Sequence, residues 1–479
     1  MNRSWRFVKM WMLAGTCIFL AGTRAHAQDQ QSSEPPKAPA KTYGPLGVDN
    51  QQDQNQTPDA YQPDTRPLTG FQQPTVGTPT ERHSYWVPGV SYYNFIQSNG
   101  NIGGGESNWS STSYLSGNVS LVENWSRSQL MMNYSGGGNF STDSSIGNGW
   151  FQQLGATQTF NWARLQLVLL DEFAYLPQSQ FGFGAGTGLS VPGVGGTLGG
   201  GLTGVGSGFT PGQTIFSAVG PRYFNTAGVQ ITYQLSARSS VTMGGLYSLL
   251  RFSDEGNIES DQYVGNVGYN YQITKNNTIG LQYRFSSFHY LNDPQAIGDH
   301  MFQVVFGRKI TGRLALTLSG GPEITNFRVA QPPATKTQYV AGSGGASLSY
   351  LVPKGSLTAS YFHGITAGSG VFLGATTDQV TGSATRKLSR VWSGEVHAGY
   401  ARNRNAETVQ GVTSTNYDSF FGGVSAARPL GRNAAFSVGY TAYVERADLS
   451  ACTGSCSSSF TTNQISVGVS WHARPFVLR

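Results

Sequence analysis

From about residue 83 to residue 479, apolar and polar side chains alternate with a period of two. Val229, Ile231, Tyr233 and Leu235 interleave with Gln230, Thr232 and Gln234. Tyr263, Val267, Tyr269, Tyr271 and Ile273 interleave with Gln262, Asn266, Asn270 and Gln272, and Ile465, Val467, Val469 and Trp471 with Gln464, Ser466, Ser470 and His472. A strand sends successive side chains to opposite faces, so these segments predict strands with one apolar and one polar face. Tight connections recur at 123–127, near 163, at 236–239, 274–277, 311–313 and 353–355, near 390 and at 430–432. Longer polar or Gly-rich connections alternate with them at 98–111, 141–149, 177–221, 254–260, 291–298, 329–336, 367–376, 403–416 and 447–461. Eight turns and nine loops imply eighteen strands; counts of 16 and 20 stay open. The strand at 112–122 runs into a tight turn, so a strand of opposite direction precedes it. Segment 83–97, with Val90, Tyr92 and Phe95, is the candidate, although its alternation is poor.

A soluble sandwich also alternates. Two features select a membrane barrel instead. Short turns on one side and long loops on the other are the membrane-barrel arrangement. Trp125, Trp150, Trp162, Tyr175, Tyr233, Tyr271, Phe302 and Trp471 fall near predicted strand ends, where amphipathic rings sit at a lipid–water boundary. The fold class expected is all-β: a transmembrane antiparallel up-and-down β-barrel, closed because lipid offers an open sheet edge no hydrogen-bond partner.

Composition agrees. Charged residues are 12% of the chain, against roughly 25% in an ordinary soluble domain, and no run of 18 apolar residues occurs beyond the N-terminus. Residues 1–27 have the three parts of a secretory signal: Arg3, Arg6 and Lys9, then an apolar stretch from Trp11 to Gly22, then Ala25-His26-Ala27. Residues 28–82 are rich in Gln and Pro and too poor in apolar groups to fold, which predicts a disordered periplasmic arm, a spacer or a contact to peptidoglycan or a periplasmic partner. The formal charge of +6 shrinks once the four basic residues of the signal are set aside, and no basic stripe exists, so nucleic acid is not an implied partner.

The last strand, Ser466-Val467-Gly468-Val469-Ser470-Trp471-His472-Ala473, follows the pattern polar, any, Gly, two of any, aromatic, any, apolar. In this it resembles Gram-negative bacterial outer-membrane β-barrels, and by size it resembles their porin-like members. The resemblance implies location in the outer membrane, contact with its lipid and insertion by the barrel assembly machinery. It names no transport family.

Barrels of about 16–18 strands leave an aqueous channel. Inward faces such as Asn118 and Ser120, or Gln153 and Thr157, are polar and little charged. The expected function is therefore an outer-membrane channel for passive or weakly selective diffusion of small solutes. The alternative is a non-conducting scaffold, or an export barrel for polysaccharide or secreted protein. Lumen charges that would set selectivity are Arg284, Glu323, Glu395 and His397, each also explicable as a pair satisfied across the wall. Alternation breaks at Asp171-Glu172, where one carboxylate must face lipid unless a bulge or an internal loop intervenes. Loop 177–221 has 45 residues without a charged side chain. It either folds inward as a constriction, with Phe181, Phe183, Leu189 and Leu202 lining it, or stays outside. Cys452 and Cys456 are a candidate disulfide. No enzyme motif, metal set or cofactor-binding pattern is evident, so neither catalysis nor a cofactor is expected.

Overall fold

The computed structural model describes residues 84–98, 109–142, 147–176, 221–253, 258–291, 295–329, 336–366, 374–405, 416–448 and 457–478. The expected signal 1–27, the expected arm 28–82, most of loop 177–221 and the candidate pair Cys452–Cys456 lie outside them. Strands β1 (Ser84–Ser98), β2 (Trp109–Asn124), β3 (Ser128–Ser141), β4 (Gly149–Asn161), β5 (Leu165–Leu176) and β6 (Arg222–Gln234) open the chain. β7 (Ser239–Phe252), β8 (Ser260–Gln272), β9 (Asn277–Tyr290), β10 (Gln295–Lys309), β11 (Leu314–Val329) and β12 (Lys336–Val352) follow. β13 (Gly355–Thr366), β14 (Ala375–Lys387), β15 (Ser393–Asn405), β16 (Asn416–Pro429), β17 (Ala434–Asp448) and β18 (Ser457–His472) complete the wall, and a short β19 (Phe476–Leu478) ends it. No helix among the described residues is long and apolar enough to cross a membrane.

Each strand from β1 to β18 pairs antiparallel with its sequence neighbours among them, and β18 pairs with β1, so the sheet is a closed barrel of eighteen spanning strands. Strands about 4.8 Å apart, tilted about 40°, give a circumference of about 110 Å and a backbone diameter of about 35 Å. All eight tight turns fall where alternation places them, including Asn124 to Ser128 and Val352 to Gly355. The end with the long connections is called the upper end below. Strands run further upward than the apolar pattern indicates. β2 starts at Trp109, and Phe302, expected near a strand end, lies in the middle of β10 with its ring 4.8 Å from Tyr283.

The seam carries the one extra residue of the closure. Gly89 pairs with His472 and Trp86 with Phe476, so residues 473–475 oppose only Val87 and Pro88. This is a β-bulge, placed where Pro88 has no N–H to give. Ala473 N–H donates to Pro88 O at 2.8 Å, and Phe476 stacks on Trp86 at 4.8 Å. The chain beyond β18 thus resumes the seam as β19.

The faces separate cleanly. Val90, Tyr92, Val267, Tyr269, Leu281, Val304, Val424, Val467 and Val469 are exposed on the outside, while Ser91, Asn266, Asn270 and Ser470 are buried on the inside. Outer rings pack in rows: Trp150, Tyr175 and Tyr223, mutually tilted at 4.4 and 4.5 Å near the upper end, and Phe160 stacked on Trp162 at 5.9 Å near the lower. At the Asp171-Glu172 break the registers run on without a bulge: Ala156 pairs with Asp171, Gly155 with Glu172, and Asp171 with Ala227. Glu172 therefore faces in and Asp171 faces out.

An outward apolar side chain in this band resists replacement by charge. Leu281→Arg, at a site 62% exposed on the outer face of β9, should destabilise the barrel by about 2–4 kcal/mol. The inward neighbour Gln282→Arg should cost much less. Urea-dependent folding into phospholipid vesicles, read by heat-modifiable gel mobility, measures both.

Candidate functional site

The inner face has two zones. Its lower part is a mesh of hydroxyl and amide side chains. Ser120 donates to Asn133 Oδ1 at 2.7 Å, and Ser356–Thr385, Thr358–Ser383 and Ser360–Thr381 pair across β13–β14 at 2.6–2.8 Å. Cross-strand hydroxyl pairs satisfy each other and leave lone pairs for water, so this surface is wettable. Glu395 and His397 of β15 belong here, both inward, opposite Thr385 and Ser383 of β14. The His397 ring lies over Gly423 of β16, where a Cβ would come within 2.7 Å of Nε2. A glycine is what lets that ring lie flat against the wall.

The upper part differs. Tyr93, Phe95, Phe151, Phe224, Leu250 and Phe288 point inward and are buried. Phe95 and Phe151 each contact Tyr114 edge-on, at 5.4 and 5.8 Å. On the far side of the barrel Phe288, Tyr290, Ile297, Phe327 and Ile365 form one apolar cluster. A uniformly polar lumen, as read from sequence, is not what the structure shows: the upper zone is largely apolar, and in the mostly polar lower zone Tyr85, Val87 and Val122 form an inward apolar cluster with Met131. The pattern of β1 reads poorly because it carries rings on both faces, Tyr92 outside and Tyr93 and Phe95 inside.

Below the Phe288 cluster the inner wall carries a charge cluster. The Arg284 guanidinium is 3.9 Å from Asp299 Oδ2, and Thr325 Oγ1 donates to Asp299 Oδ1 at 3.0 Å. Glu323 lies beside Asp299 and accepts the Ile365 N–H at 3.3 Å. Asp299 and Glu323 are almost fully buried, at 0% and 1% exposure. Arg284 and Glu323, two of the expected lumen charges, are thus brought together, and Glu395 and His397 sit apart on β15. Asp299, the residue that joins the pair, was not anticipated. Its inward orientation was legible from alternation with Gly298 and His300, but its meeting with Arg284 and Thr325 depends on the β9–β10 and β10–β11 registers.

The acceptor role of Glu323 exposes a departure of the wall from regular form. The β12–β13 ladder stops at Gly344–His363, while β12 continues to Lys336 paired with β11 alone among the described residues. β13 and β14 stay paired to Thr366–Ala375. Continued alternation from Tyr361 and His363 would put Ile365 outside, yet it is buried with Phe288, Ile297 and Phe327 inside. A Cβ on Gly364 would sit 3.4 Å from both Glu323 Oε1 and Met301 Cε. The top of the β13–β14 hairpin therefore leans inward across the inner faces of β10–β12, and Glu323 fastens it.

An exterior apolar band, aromatic rows and a polar-to-apolar interior make this a transmembrane barrel. No protein-family model matches the chain, and neither does any curated protein. Among solved structures it is similar to Pseudomonas aeruginosa OpdQ, at 10% identity and TM-score 0.39, covering 82% of this chain and 98% of that one. It is similar also to P. aeruginosa OccK2 (OpdF), at 11% identity, TM-score 0.41 and 81% and 98% coverage. Acinetobacter baumannii OccAB3 follows at 11% identity, TM-score 0.39 and 82% and 99% coverage. Identities this low transfer no substrate and no residue role.

Glu323→Ala removes the acceptor of a buried N–H, a loss of about 1–3 kcal/mol. The hairpin top should loosen and single-channel conductance in planar bilayers should rise, with Glu323→Gln intermediate because its amide oxygen still accepts. Unchanged conductance in both variants would detach the hairpin from the solute path.

Proposed function

We propose that the protein is a passive, weakly selective diffusion channel of the bacterial outer membrane for small solutes. The observation that carries this is the closed eighteen-strand wall whose lower inner face carries cross-strand hydroxyl and amide pairs. A backbone diameter of about 35 Å leaves space for water after the inner side chains are counted, as in other barrels of this strand number. Selectivity then falls to inward charges, among them Arg284, Asp299 and Glu323 near the narrowing under the leaning hairpin, and Glu395 with His397 lower on β15.

The buried apolar arc of the upper lumen bears on the expected constriction segment. Phe151, Phe224, Leu250 and Phe288 are removed from water on a wall whose lower half is wettable. An uncharged, Gly-rich loop such as 177–221, with Phe181, Phe183, Leu189 and Leu202, has the chemistry to pack on such an arc. This supports a narrowed channel over a wide open one. The same arc also favours the second reading, a non-conducting scaffold or export barrel, if the upper lumen is filled completely.

Planar-bilayer recording decides between them. A channel should give discrete conductance steps with weak ion preference, reduced by neutral sugars small enough to enter. Deletion of residues 182–212 should enlarge the steps. A reconstituted, heat-modifiable barrel that shows no steps before or after the deletion is a scaffold.

A further inference from the structure

We propose that the outer face of β4–β6 around Asp171 is an interface with a second copy of this chain in the membrane. Asp171 lies well inside the apolar band. On β5 it is flanked on its own face by Leu169 and Phe173. Tyr175, in the upper ring row with Trp150 and Tyr223, lies four residues above it, and Leu165 six below. Both its ladders run through it without a bulge, so the backbone cannot turn it inward. Its described partner is the Asn225 amide of β6, which donates to Oδ1 at 2.8 Å and to Glu172 O at 3.1 Å.

Other outward aspartates are treated differently. Asp261 meets Arg251 at 2.6 Å, Asp378 meets Arg404 at 2.9 Å and His363 at 2.6 Å, and Asp418 faces Arg402 at 3.7 Å. Each of these sits high on its strand with a cation beside it. The outward positions of β4–β6 carry no Lys or Arg at all among the described residues. A carboxylate held by one amide still has acceptor capacity, and hydrocarbon supplies no donor.

The patch itself carries the missing donors. Gln152 and Gln158 of β4 face outward above and below Asp171, opposite Tyr175 and Leu169. The residues directly beside Asp171 across the ladders are Ala156 and Ala227, whose methyl side chains are shorter than the carboxylate. A face with one anionic acceptor, several neutral amides and low side chains around the acceptor complements itself. That is the requirement for a symmetric contact between identical chains. A lipid tail meets none of it, and an unrelated protein would have to bring the donors.

Cysteines placed singly at Ala156 and Ala227, in a Cys452→Ser, Cys456→Ser background, test this in intact outer membranes with a short bismaleimide. Leu281→Cys on β9 is the control wall. The expected product from Ala156→Cys or Ala227→Cys is a band at twice the chain mass, absent from the control. Adding Asp171→Leu should lower its yield by about tenfold, the effect of one charge-assisted hydrogen bond, while heat-modifiable mobility is kept. Products only at other masses, a doubled band equal in the control, or a yield indifferent to Asp171→Leu would each overturn the proposal. Because the readout is mass and not conductance, failure here leaves the channel reading standing, and failure of conductance leaves this one.

Discussion

In hydrocarbon a backbone N–H or C=O has no partner except another strand, at several kcal/mol for each group left open. This constraint explains the closure of β1 on β18 and the position of its irregularities. The bulge opposite Val87 and Pro88 costs little because Pro88 lacks an N–H, and Ala473 still donates to Pro88 O. The separation of β12 from β13 begins only above Gly344–His363. Just below it, Tyr361, Val380, Tyr400 and Phe420 form one outward cross-strand row, the level where rings meet headgroups. The ladder is intact where lipid demands it and opens where water or a buried side chain can take over the freed groups.

The same constraint inverts the usual distribution of polarity. Apolar groups on the outside are solvated by lipid, so folding stability cannot come from burying them in a central core. It comes from strand pairing and from the inner face, where polar groups must find one another. The inner wall solves this in two ways. Low on the barrel, short hydroxyl side chains pair across strands and remain available to water. Higher up, aromatic and aliphatic side chains replace them and are buried. Asp299 and Glu323 lie at the junction, and the leaning β13–β14 top supplies an N–H to Glu323 that a regular wall would not. The narrowing and the charge cluster are one structure rather than two.

The fold was legible because a single periodicity determines both strand and face. Tight turns, strand count and inward orientation of Arg284, Glu323, Glu395 and His397 all follow from alternation counted along one strand. What joins strands did not follow. The contact of Arg284 with Asp299 needs His300 paired to Phe285 and Met301 to Arg284. No pattern within β9 or β10 alone specifies that register. The upper lumen was misjudged for a related reason: Tyr93, Phe95 and Phe151 are apolar on the inward face, and a rule that equates apolar with outward has no place for them. Strand ends were misjudged because the apolar band is shorter than the strands, so upper segments such as 109–111 have no alternation to reveal them.

Two residues break the rule of alternation in opposite senses, and their resolutions differ instructively. Ile365 is apolar and buried, at a position whose parity with Tyr361 and His363 predicts the outside. The backbone there has left its β12 partner, so the side chain reaches an apolar cluster inside, and the conflict is settled within one chain. Asp171 is charged and outside, at a position whose ladders on both sides are unbroken. Moving it would cost two rows of backbone hydrogen bonds in the membrane, more than one carboxylate is worth. The wall is therefore fixed and the carboxylate stays. An internal solution is closed to Asp171 for the same reason that it is open to Ile365, and any further partner has to approach from the membrane side.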